Sequence, residues 1–246
     1  MNLLETKGLT KRFGGLTAVD RVDFQVAKGE LRAIIGPNGA GKTTFFNLIA
    51  GRLPPTEGRI WFKGEDITHV PPYEIPRRGI GRSYQITNIF PKLTVFENVR
   101  VAVQAMETTF NFWRDVRSLD SINRRTTEIL ERLKILDHKD VRAANLPHGL
   151  QRHLEIGIAL ASHPELLLLD EPTAGMTKEE TERMMELIDE LSKGLTIVLV
   201  EHDMRFVMSV SKKITVLHEG RILAEGRPEE IRSNEEVQRI YLGKQK

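Results

Sequence analysis

The sequence predicts an α/β protein with a mostly parallel sheet and a helical insertion near its middle. Short runs of aliphatic residues alternate with helix-like segments in the first and last thirds of the chain. Such alternation is typical of parallel strands buried on both faces. The middle third contains three helix-like segments and no strong strand signal between them. We therefore expect an α-helical subdomain inserted into an α/β core.

The individual elements follow from periodicity and from the glycines and polar residues that bound them. Strands are predicted at residues 3–9, 22–26, 31–35, 59–62, 166–169, 195–200 and 214–218, and helices of the insertion at 94–107, 121–135 and 149–161. Two further helix starts are predicted where a Ser or Thr precedes a Glu by three residues, at Thr177 with Glu180 and at Ser233 with Glu236. This spacing allows the two residues to satisfy each other's free backbone N–H groups.

Composition and charge exclude several classes of protein. The chain has 246 residues, 40% hydrophobic and 28% charged, which is the composition of a globular protein with a substantial core. Its 36 basic and 34 acidic side chains give a formal charge of only +2, so general nucleic-acid binding is disfavoured. The absence of cysteine excludes disulfides and cysteine-based metal sites. No apolar run approaches the ~20 residues that span a bilayer and no secretory signal is visible, so we expect a soluble cytoplasmic protein.

A phosphate-binding loop follows the third predicted strand. Its residues are Gly36, Pro37, Asn38, Gly39, Ala40, Gly41, Lys42, Thr43 and Thr44, in the pattern Gly, four residues, Gly, Lys, Thr. The glycines let consecutive backbone N–H groups turn toward phosphate oxygens, and the next helix points its positive end at them. Lys42 is expected to reach the β- and γ-phosphates, and the Thr43 hydroxyl to bind magnesium. The motif predicts a bound nucleoside triphosphate with Mg²⁺.

Polar side chains follow three other extended segments. One predicted strand ends in Asp170 and Glu171, and the next ends beside His202. Because the carboxyl ends of parallel strands form the ligand-binding edge of an open α/β sheet, Asp170 is expected to hold magnesium directly or through water. Glu171 is expected to accept a proton from the attacking water or to orient it. His202 is placed to contact the γ-phosphate or the water, with a structural role as the alternative, and Gln85 is a candidate for the magnesium shell.

These motifs, in this order, resemble the ATP-binding subunits of ABC transporters over essentially the whole chain. The segment Leu146, Pro147, His148, Gly149, Leu150 and Gln151 stands where that family has its signature, Leu-Ser-Gly-Gly-Gln. Residues 11–16, 89–99 and 224–243 further resemble the branched-chain amino-acid importer branch. The resemblance implies a RecA-like P-loop NTPase core with an N-terminal antiparallel β portion. It also implies a division into residues 1–88 and 163–246, which form the two parts of the ATP-binding core, and 89–162, the helical subdomain with the signature.

The resemblance also implies roles for single residues. Phe13 corresponds to the aromatic side chain that stacks on adenine, with core packing as the alternative. Gln85 corresponds to the glutamine that senses nucleotide and couples to the membrane partner, Glu171 to the general base, and His202 to the switch histidine that bridges the γ-phosphate and the opposite subunit.

The same resemblance implies a set of partners. ATP would lie between the phosphate-binding loop of one subunit and the signature of a second, which is either a copy of this chain or a paralogue. The remaining expected partners are membrane permease subunits and, indirectly, a periplasmic or extracellular substrate-binding protein. The chain is expected on the inner face of the cell membrane as a peripheral subunit.

The signature departs from the family pattern. Pro147 replaces the serine and lacks both a hydroxyl and a backbone N–H. His148, with a ring able to donate, replaces the first glycine, while Leu150 replaces the glutamine and leaves Gln151 as the next amide. We therefore expect slower hydrolysis at the sites that this signature completes, with Gly149 and the helix N-terminus as the remaining phosphate contacts.

The leading hypothesis is an ATPase that drives a separate membrane protein importing branched-chain or other hydrophobic amino acids. Three alternatives stay open at this point. One is an ATP-binding switch that barely hydrolyses within a heterodimer, the second is a P-loop kinase, and the third is the ATPase of a lipid or lipopolysaccharide export system.

Overall fold

The computed structural model describes residues 2–83, 89–107 and 116–242. The strands are β1 (Asn2–Phe13), β2 (Leu16–Ala27), β3 (Leu31–Ile35), β4 (Glu57–Phe62), β5 (Glu65–Asp66), β6 (Ile80–Arg82), β7 (Leu166–Asp170), β8 (Thr196–Val200), β9 (Lys213–His218) and β10 (Arg221–Gly226). The α-helices are α1 (Lys42–Ile49), α2 (Val95–Glu107), α3 (Val116–Arg132), α4 (His148–Leu160), α5 (Lys178–Ser192), α6 (Met204–Val210), α7 (Pro228–Ser233) and α8 (Glu235–Leu242).

The central sheet has the strand order β10-β9-β3-β8-β7-β6. Strands β9, β3, β8, β7 and β6 run parallel, and β10 is antiparallel to β9 at the edge. Every residue of β3, β7 and β8 is buried, as expected for strands covered on both faces. Val200 of β8 pairs with Ile34 on one side and with Asp170 on the other. The segments that follow these three strands therefore start at one level of the sheet.

A second sheet, of antiparallel strands in the order β2-β1-β4-β5, covers the first helix. In β2 the buried residues Val22, Phe24 and Val26 alternate with exposed ones, so one face of this sheet is in the core. The rings of Phe24 and Phe45 of α1 meet edge to face, with centroids 5.2 Å apart. Helix α1, which follows the phosphate-binding loop, is thus fixed by packing against the antiparallel sheet.

Helices α2, α3 and α4 form the inserted helical segment. Their buried side chains, among them Val99, Ile122, Ile129 and Leu130, belong to one hydrophobic cluster with residues of β3, β7 and β8. This arrangement confirms the predicted α/β class with an antiparallel β portion at the N-terminus and a helical insertion. Among the described residues, the helices include none that combines the length and apolar character required to cross a bilayer.

Several element boundaries differ from the prediction. Strands β5 and β10 were not predicted, and β1 continues to Phe13 through irregular pairing with β2. Strand β6 ends at Arg82, where the extended segment expected before Gln85 begins. Strand β6 contains Gly81, which reads as a strand breaker in the sequence. The structure requires glycine there because a Cβ would lie 2.8 Å from the Ala159 carbonyl oxygen.

Of the two predicted capping boxes, one is confirmed and one is wrong. Thr177 and Glu180 exchange both hydrogen bonds at the start of α5. Ser233 is instead the last residue of α7. Asn234 caps α8, and its Oδ1 accepts the backbone N–H groups of Glu236 at 3.0 Å and Val237 at 3.1 Å. Asparagine caps a helix as well as serine does, and its position one residue later fits the start of α8.

Candidate functional site

The phosphate-binding loop turns between β3 and α1 with two of its glycines pressed against neighbouring backbone. A Cβ at Gly36 would lie 2.2 Å from the Leu217 carbonyl oxygen, and one at Gly41 would lie 2.2 Å from the Ala18 carbonyl oxygen. Gly41 also has a left-handed φ of 96°, a conformation that side chains disfavour. These positions exclude any larger residue, so strands β2 and β9 hold the loop in its shape.

Lys42 is the first residue of α1, and its side chain folds back over the loop. Its Nζ donates hydrogen bonds to the carbonyl oxygens of Gly36 at 2.7 Å and Pro37 at 3.1 Å. Burial lowers the pKa of Lys42, and the negative charges of Glu171 and Asp170 oppose that shift. The ammonium therefore sits between the loop carbonyls and the two acidic side chains.

A cavity of about 620 Å³ opens in front of the loop, a size suited to a small-molecule ligand. It is lined by Asn38, Gly39, Ala40, Gly41, Lys42, Thr43 and Thr44, by Leu16, Thr17 and Ala18 of β2, and by Glu171 and Glu219. The sequence-predicted loop residues from Asn38 to Thr44 thus face one space. Gly36 and Pro37 contribute carbonyl oxygens behind Lys42 instead.

Phe13 lies at the end of β1, and 46% of its surface is exposed. This exposure excludes the core-packing alternative. In the sheet, Phe13 pairs with Leu16 of β2, which lines the cavity. The Nζ of Lys11 lies 5.3 Å from the centre of the Phe13 ring. The ring is therefore available beside the cavity, although it does not itself line it.

Asp170 ends β7 and is almost fully buried, with 3% of its surface exposed. Its Oδ2 accepts a hydrogen bond from Arg82 Nη2 at 3.0 Å, and Arg82 Nη1 donates to Asn47 Oδ1 at 2.8 Å. Burial raises the pKa of Asp170, whereas the Arg82 charge lowers it. Sequence reasoning missed Arg82, because only the pairing of β6 with β7 brings it beside an acid 88 positions later.

The residues present fit a bound magnesium ion. Hydroxyl and carboxylate oxygens, such as those of Thr43 and Asp170, are the hard ligands that Mg²⁺ prefers, and the ion usually takes only one or two carboxylates together with substrate phosphates. Within the described residues, no group of three or more His, Cys, Asp or Glu side chains could hold a metal ion. Gln85, the other predicted magnesium ligand, lies outside the described residues.

The structure brings Glu171 and His202 together. Glu171 has a left-handed φ of 49°, a backbone state that is often retained at functional sites, and its N–H donates to the Val200 carbonyl oxygen at 2.9 Å. His202 Nδ1 lies 3.6 Å from Glu171 Oε1. Glu171 lines the cavity in front of the loop, whereas His202 lines a neighbouring one with Thr173.

The signature segment forms the start of α4, with Pro147 as the N-cap residue and no side-chain cap. Leu146 is buried and Leu150 is partly buried, while Pro147 and His148 are exposed. None of the six signature residues, all of which the structure describes, lines the cavity in front of the loop. The signature and the phosphate-binding loop of one chain therefore do not form one pocket.

Two of the expected signature donors already have partners within the chain. The Gly149 N–H donates to Glu180 Oε1 at 3.1 Å, and the Gln151 Nε2 donates to the Leu146 carbonyl oxygen at 3.0 Å. The backbone bonds from Thr177 and Gly149 hold the pKa of Glu180 below its usual range. Glu180 is a second residue that sequence reasoning missed in this role, because its spacing from Thr177 predicts only a helix cap.

Two known families match the sequence. The family described as "ABC transporter" matches residues 19–174, and the family described as "Branched-chain amino acid ATP-binding cassette transporter" matches residues 221–246. The chain is 41% identical over 250 residues to the high-affinity branched-chain amino acid transport ATP-binding protein LivG of Escherichia coli (strain K12). That match covers 98% of each chain.

Solved structures are similar over nearly the same length. A crystal structure of the ADP conformation of an ATP-binding cassette of an ABC transporter has a TM-score of 0.87 and 32% identity, and covers 99% of this chain and 100% of that one. A dimeric structure of a post-hydrolysis state of an ATP-binding cassette bound to ADP and Pi has a TM-score of 0.77 and 26% identity. It covers 92% of this chain and 98% of that one.

Proposed function

The chain belongs to the ABC transporter ATP-binding family, and from this premise we propose that it powers the import of branched-chain or other hydrophobic amino acids. It is an ATPase subunit of this family, as the sequence resemblance implied. The observation that carries the substrate class is the match of residues 221–246 to the branched-chain amino acid family, joined to the full-length similarity to LivG. The kinase, the weakly hydrolysing switch and the lipid-export ATPase are not favoured by these relatives.

We propose that ATP occupies the cavity in front of the phosphate-binding loop. The backbone N–H groups from Asn38 to Thr44 provide donors for the phosphate oxygens, and the N-terminus of α1 points its positive end at them. The exposed Phe13 ring stacks on the adenine. Lys42 exchanges its bonds to the Gly36 and Pro37 carbonyl oxygens for bonds to the β- and γ-phosphates. The cavity size and its loop lining support this placement.

The catalytic roles follow from the two carboxylates at the sheet edge. Thr43 and Asp170 would hold magnesium, with Gln85 as a third candidate, and a bound ion would supply positive charge against the phosphates. Glu171 accepts the proton of the attacking water on a carboxylate oxygen. His202 donates a hydrogen bond to the γ-phosphate. Its Nδ1 lies 3.6 Å from Glu171 Oε1, so the same ring also stabilises the Glu171 carboxyl group once it has accepted the proton.

A second ATP-binding subunit completes each site in this proposal. The signature from Leu146 to Gln151 lies away from the cavity of its own chain, which favours its use in a partner's site. The dimeric ATP-binding cassette with ADP and Pi shows that a similar protein forms a dimer. The partner is a copy of this chain or a paralogue, and Gly149 must release Glu180 before it can donate to a phosphate.

The membrane permease is a separate protein, and an apolar groove offers a surface for it. A cavity of about 330 Å³ lies between the core and the helical insertion, with Ile75, Ala102 and Met106 among its lining residues. Beside it, Tyr73 is 73% exposed. We place the permease on this groove, with the chain peripheral on the inner face of the cell membrane and a substrate-binding protein acting through the permease. We also propose that residues 89–162 form the helical subdomain and that residues 1–88 and 163–246 form the two parts of the ATP-binding core.

Uptake measurements in cells test the proposal. Deleting the gene is expected to abolish high-affinity uptake of labelled leucine, isoleucine and valine, and the wild-type chain should restore it. The Glu171→Gln variant, which keeps the phosphate-binding loop, should be present at normal abundance and fail to restore uptake. Unchanged uptake of all three amino acids after deletion would assign this ATPase to another transported substrate.

A further inference from the structure

A buried carboxylate connects the two loops that carry the proposed catalytic residues. Glu201 follows β8, and only 1% of its surface is exposed. Its Oε1 accepts hydrogen bonds from the Thr173 backbone N–H at 3.0 Å and from the Thr173 hydroxyl at 2.5 Å. Its Oε2 accepts the His202 backbone N–H at 3.0 Å. One side chain therefore holds both the loop after Glu171 and the backbone of His202.

In this contact the Glu201 side chain supplies the acceptors and its partners supply the donors. All three groups bonded to Glu201 are donors, and a carboxylate offers only acceptors. A glutamine of the same shape would present an NH₂ group to at least one of these donors. Bonds to an ionised acceptor are also about twice as strong as bonds between neutral groups. The three donors compensate for the burial of the charge, which an apolar site would disfavour.

The position of Glu171 depends on this contact. On one side, its own N–H is bonded to the Val200 carbonyl oxygen at 2.9 Å. On the other side, Thr173, two residues further on, is anchored to Glu201. The backbone between these anchors contains the left-handed residue Glu171 itself. Because such a conformation persists only where its surroundings enforce it, loss of either anchor would let the carboxylate move.

His202 needs the same anchor for a different reason. Its side chain is 63% exposed, so packing contributes little to its position. The bond between its backbone N–H and Glu201 fixes the residue from which the ring projects. Glu201 thus sets the 3.6 Å separation between His202 Nδ1 and Glu171 Oε1 without itself lining the cavity.

We propose that Glu201 is a positioning residue for ATP hydrolysis. It holds the general base and the switch histidine at a fixed separation across the ends of β7 and β8. The inference rests on the proposed roles of Glu171 and His202. Glu201 acts through Thr173 and His202 and touches neither the nucleotide nor the attacking water. Its removal should therefore change the rate of the chemical step and leave ATP binding almost intact.

Steady-state kinetics of matched variants test this role. Glu201→Gln is expected to lower kcat about tenfold while the KM for ATP stays within about twofold, because a misplacement near 1 Å costs up to ~10²-fold in rate. Thr173→Val, which keeps the shape and loses the hydroxyl, should lower kcat in the same way. Thr173→Ser, which keeps the hydroxyl, should restore it. The double variant of Glu201→Gln and Thr173→Val should be no slower than the slower single variant.

Glu225→Gln is the control for a general loss of stability. The Glu225 carboxylate also accepts a bond from a threonine hydroxyl, that of Thr215 at 2.6 Å, and it pairs with the buried Arg32. Glu225 does not line the cavity in front of the loop. The variant should therefore lower the melting temperature and leave kcat per folded subunit unchanged.

Four outcomes overturn the inference. An unchanged kcat in Glu201→Gln does so, as does a Thr173→Ser variant as slow as Thr173→Val. A parallel loss of kcat, ATP affinity and melting temperature in Glu201→Gln, with a similar loss of kcat in Glu225→Gln, would show a structural role alone. Glu171→Gln, measured in the same series, distinguishes a wrong base assignment from a wrong positioning role. If this variant keeps full turnover, Glu171 is not the general base and the inference about Glu201 fails with it. If it loses turnover while Glu201→Gln does not, only the positioning role is wrong.

Discussion

Replacing Pro147 by serine tests whether the altered signature limits hydrolysis. Pro147 is the N-cap of α4, with φ −53° and ψ 150°, and no side chain caps the helix there. Serine adopts these angles without strain and is among the preferred N-cap residues. The substitution supplies both a hydroxyl and a backbone N–H at the position where the family signature carries its serine.

The expected size of the effect follows from opposing contributions. An N-cap hydroxyl stabilises a helix by about 1 kcal/mol, and loss of proline's restriction on the unfolded chain costs about 0.4–1 kcal/mol. The melting temperature should therefore change by no more than about 2–4 °C.

The effect on turnover is larger. A hydrogen bond to a charged group is worth about 1.5–3 kcal/mol. If roughly 1 kcal/mol of it is realised only in the transition state, turnover rises about fivefold.

The assay is the magnesium-dependent ATPase rate as a function of protein concentration. A rate per subunit that climbs with concentration shows that the chain completes its own sites as a dimer, and Pro147→Ser should raise the plateau. Pro147→Ala is the matched control, since it removes the ring and adds no hydroxyl. Equal gains in the serine and alanine variants would assign the effect to the restored backbone N–H and not to the hydroxyl. Rates in both variants no higher than that of the unaltered chain would refute the argument that a missing donor limits hydrolysis.

Three other variants probe the site and its surroundings. Glu171→Gln should retain ATP binding, measured by equilibrium dialysis, and lose turnover by ~10²–10⁴-fold, as for other missing general bases; near-normal turnover would place the base elsewhere. Arg82→Met leaves the buried Asp170 carboxylate without its ion pair, so urea unfolding should show a loss of about 3 kcal/mol, and a loss below about 1 kcal/mol would contradict the importance of that pair. Burial lowers the pKa of His153, so the unfolded chain binds a proton that the folded chain resists, and the free energy of unfolding should fall as pH drops below about 6.5. His153→Phe should weaken that pH dependence, and an identical slope in both proteins would assign it to other groups.

The parts of the site that lie close together in sequence were predictable. The loop from Gly36 to Thr44 is recognisable because a strand, a glycine pattern and a helix follow one another directly, although β2 and β9 also hold its shape. Asp170, Glu171 and His202 meet because the ends of parallel strands lie at one edge, and the sequence shows where those strands end.

Contacts set by strand register or by helix packing were not predictable. Arg82 reaches Asp170 only through the pairing of a three-residue strand that contains a glycine. Glu180 bonds to Gly149 only because α5 packs against the start of α4. At Glu201, an acidic residue directly after an apolar strand suggests a solvated turn. Only the structure shows that this side chain is buried and accepts hydrogen bonds from Thr173 and His202. Single-residue patterns carry no information on such distant neighbours.

The hydrogen bonds that Lys42 makes to the loop carbonyl oxygens affect how readily ADP dissociates. If a buried ammonium had no other acceptor when ADP departs, it would lose its hydrogen-bond partners, and that cost would slow dissociation. Lys42 Nζ has the Gly36 and Pro37 carbonyl oxygens as acceptors within its own loop. With these acceptors available, release of the product would not leave the ammonium without a hydrogen-bond partner.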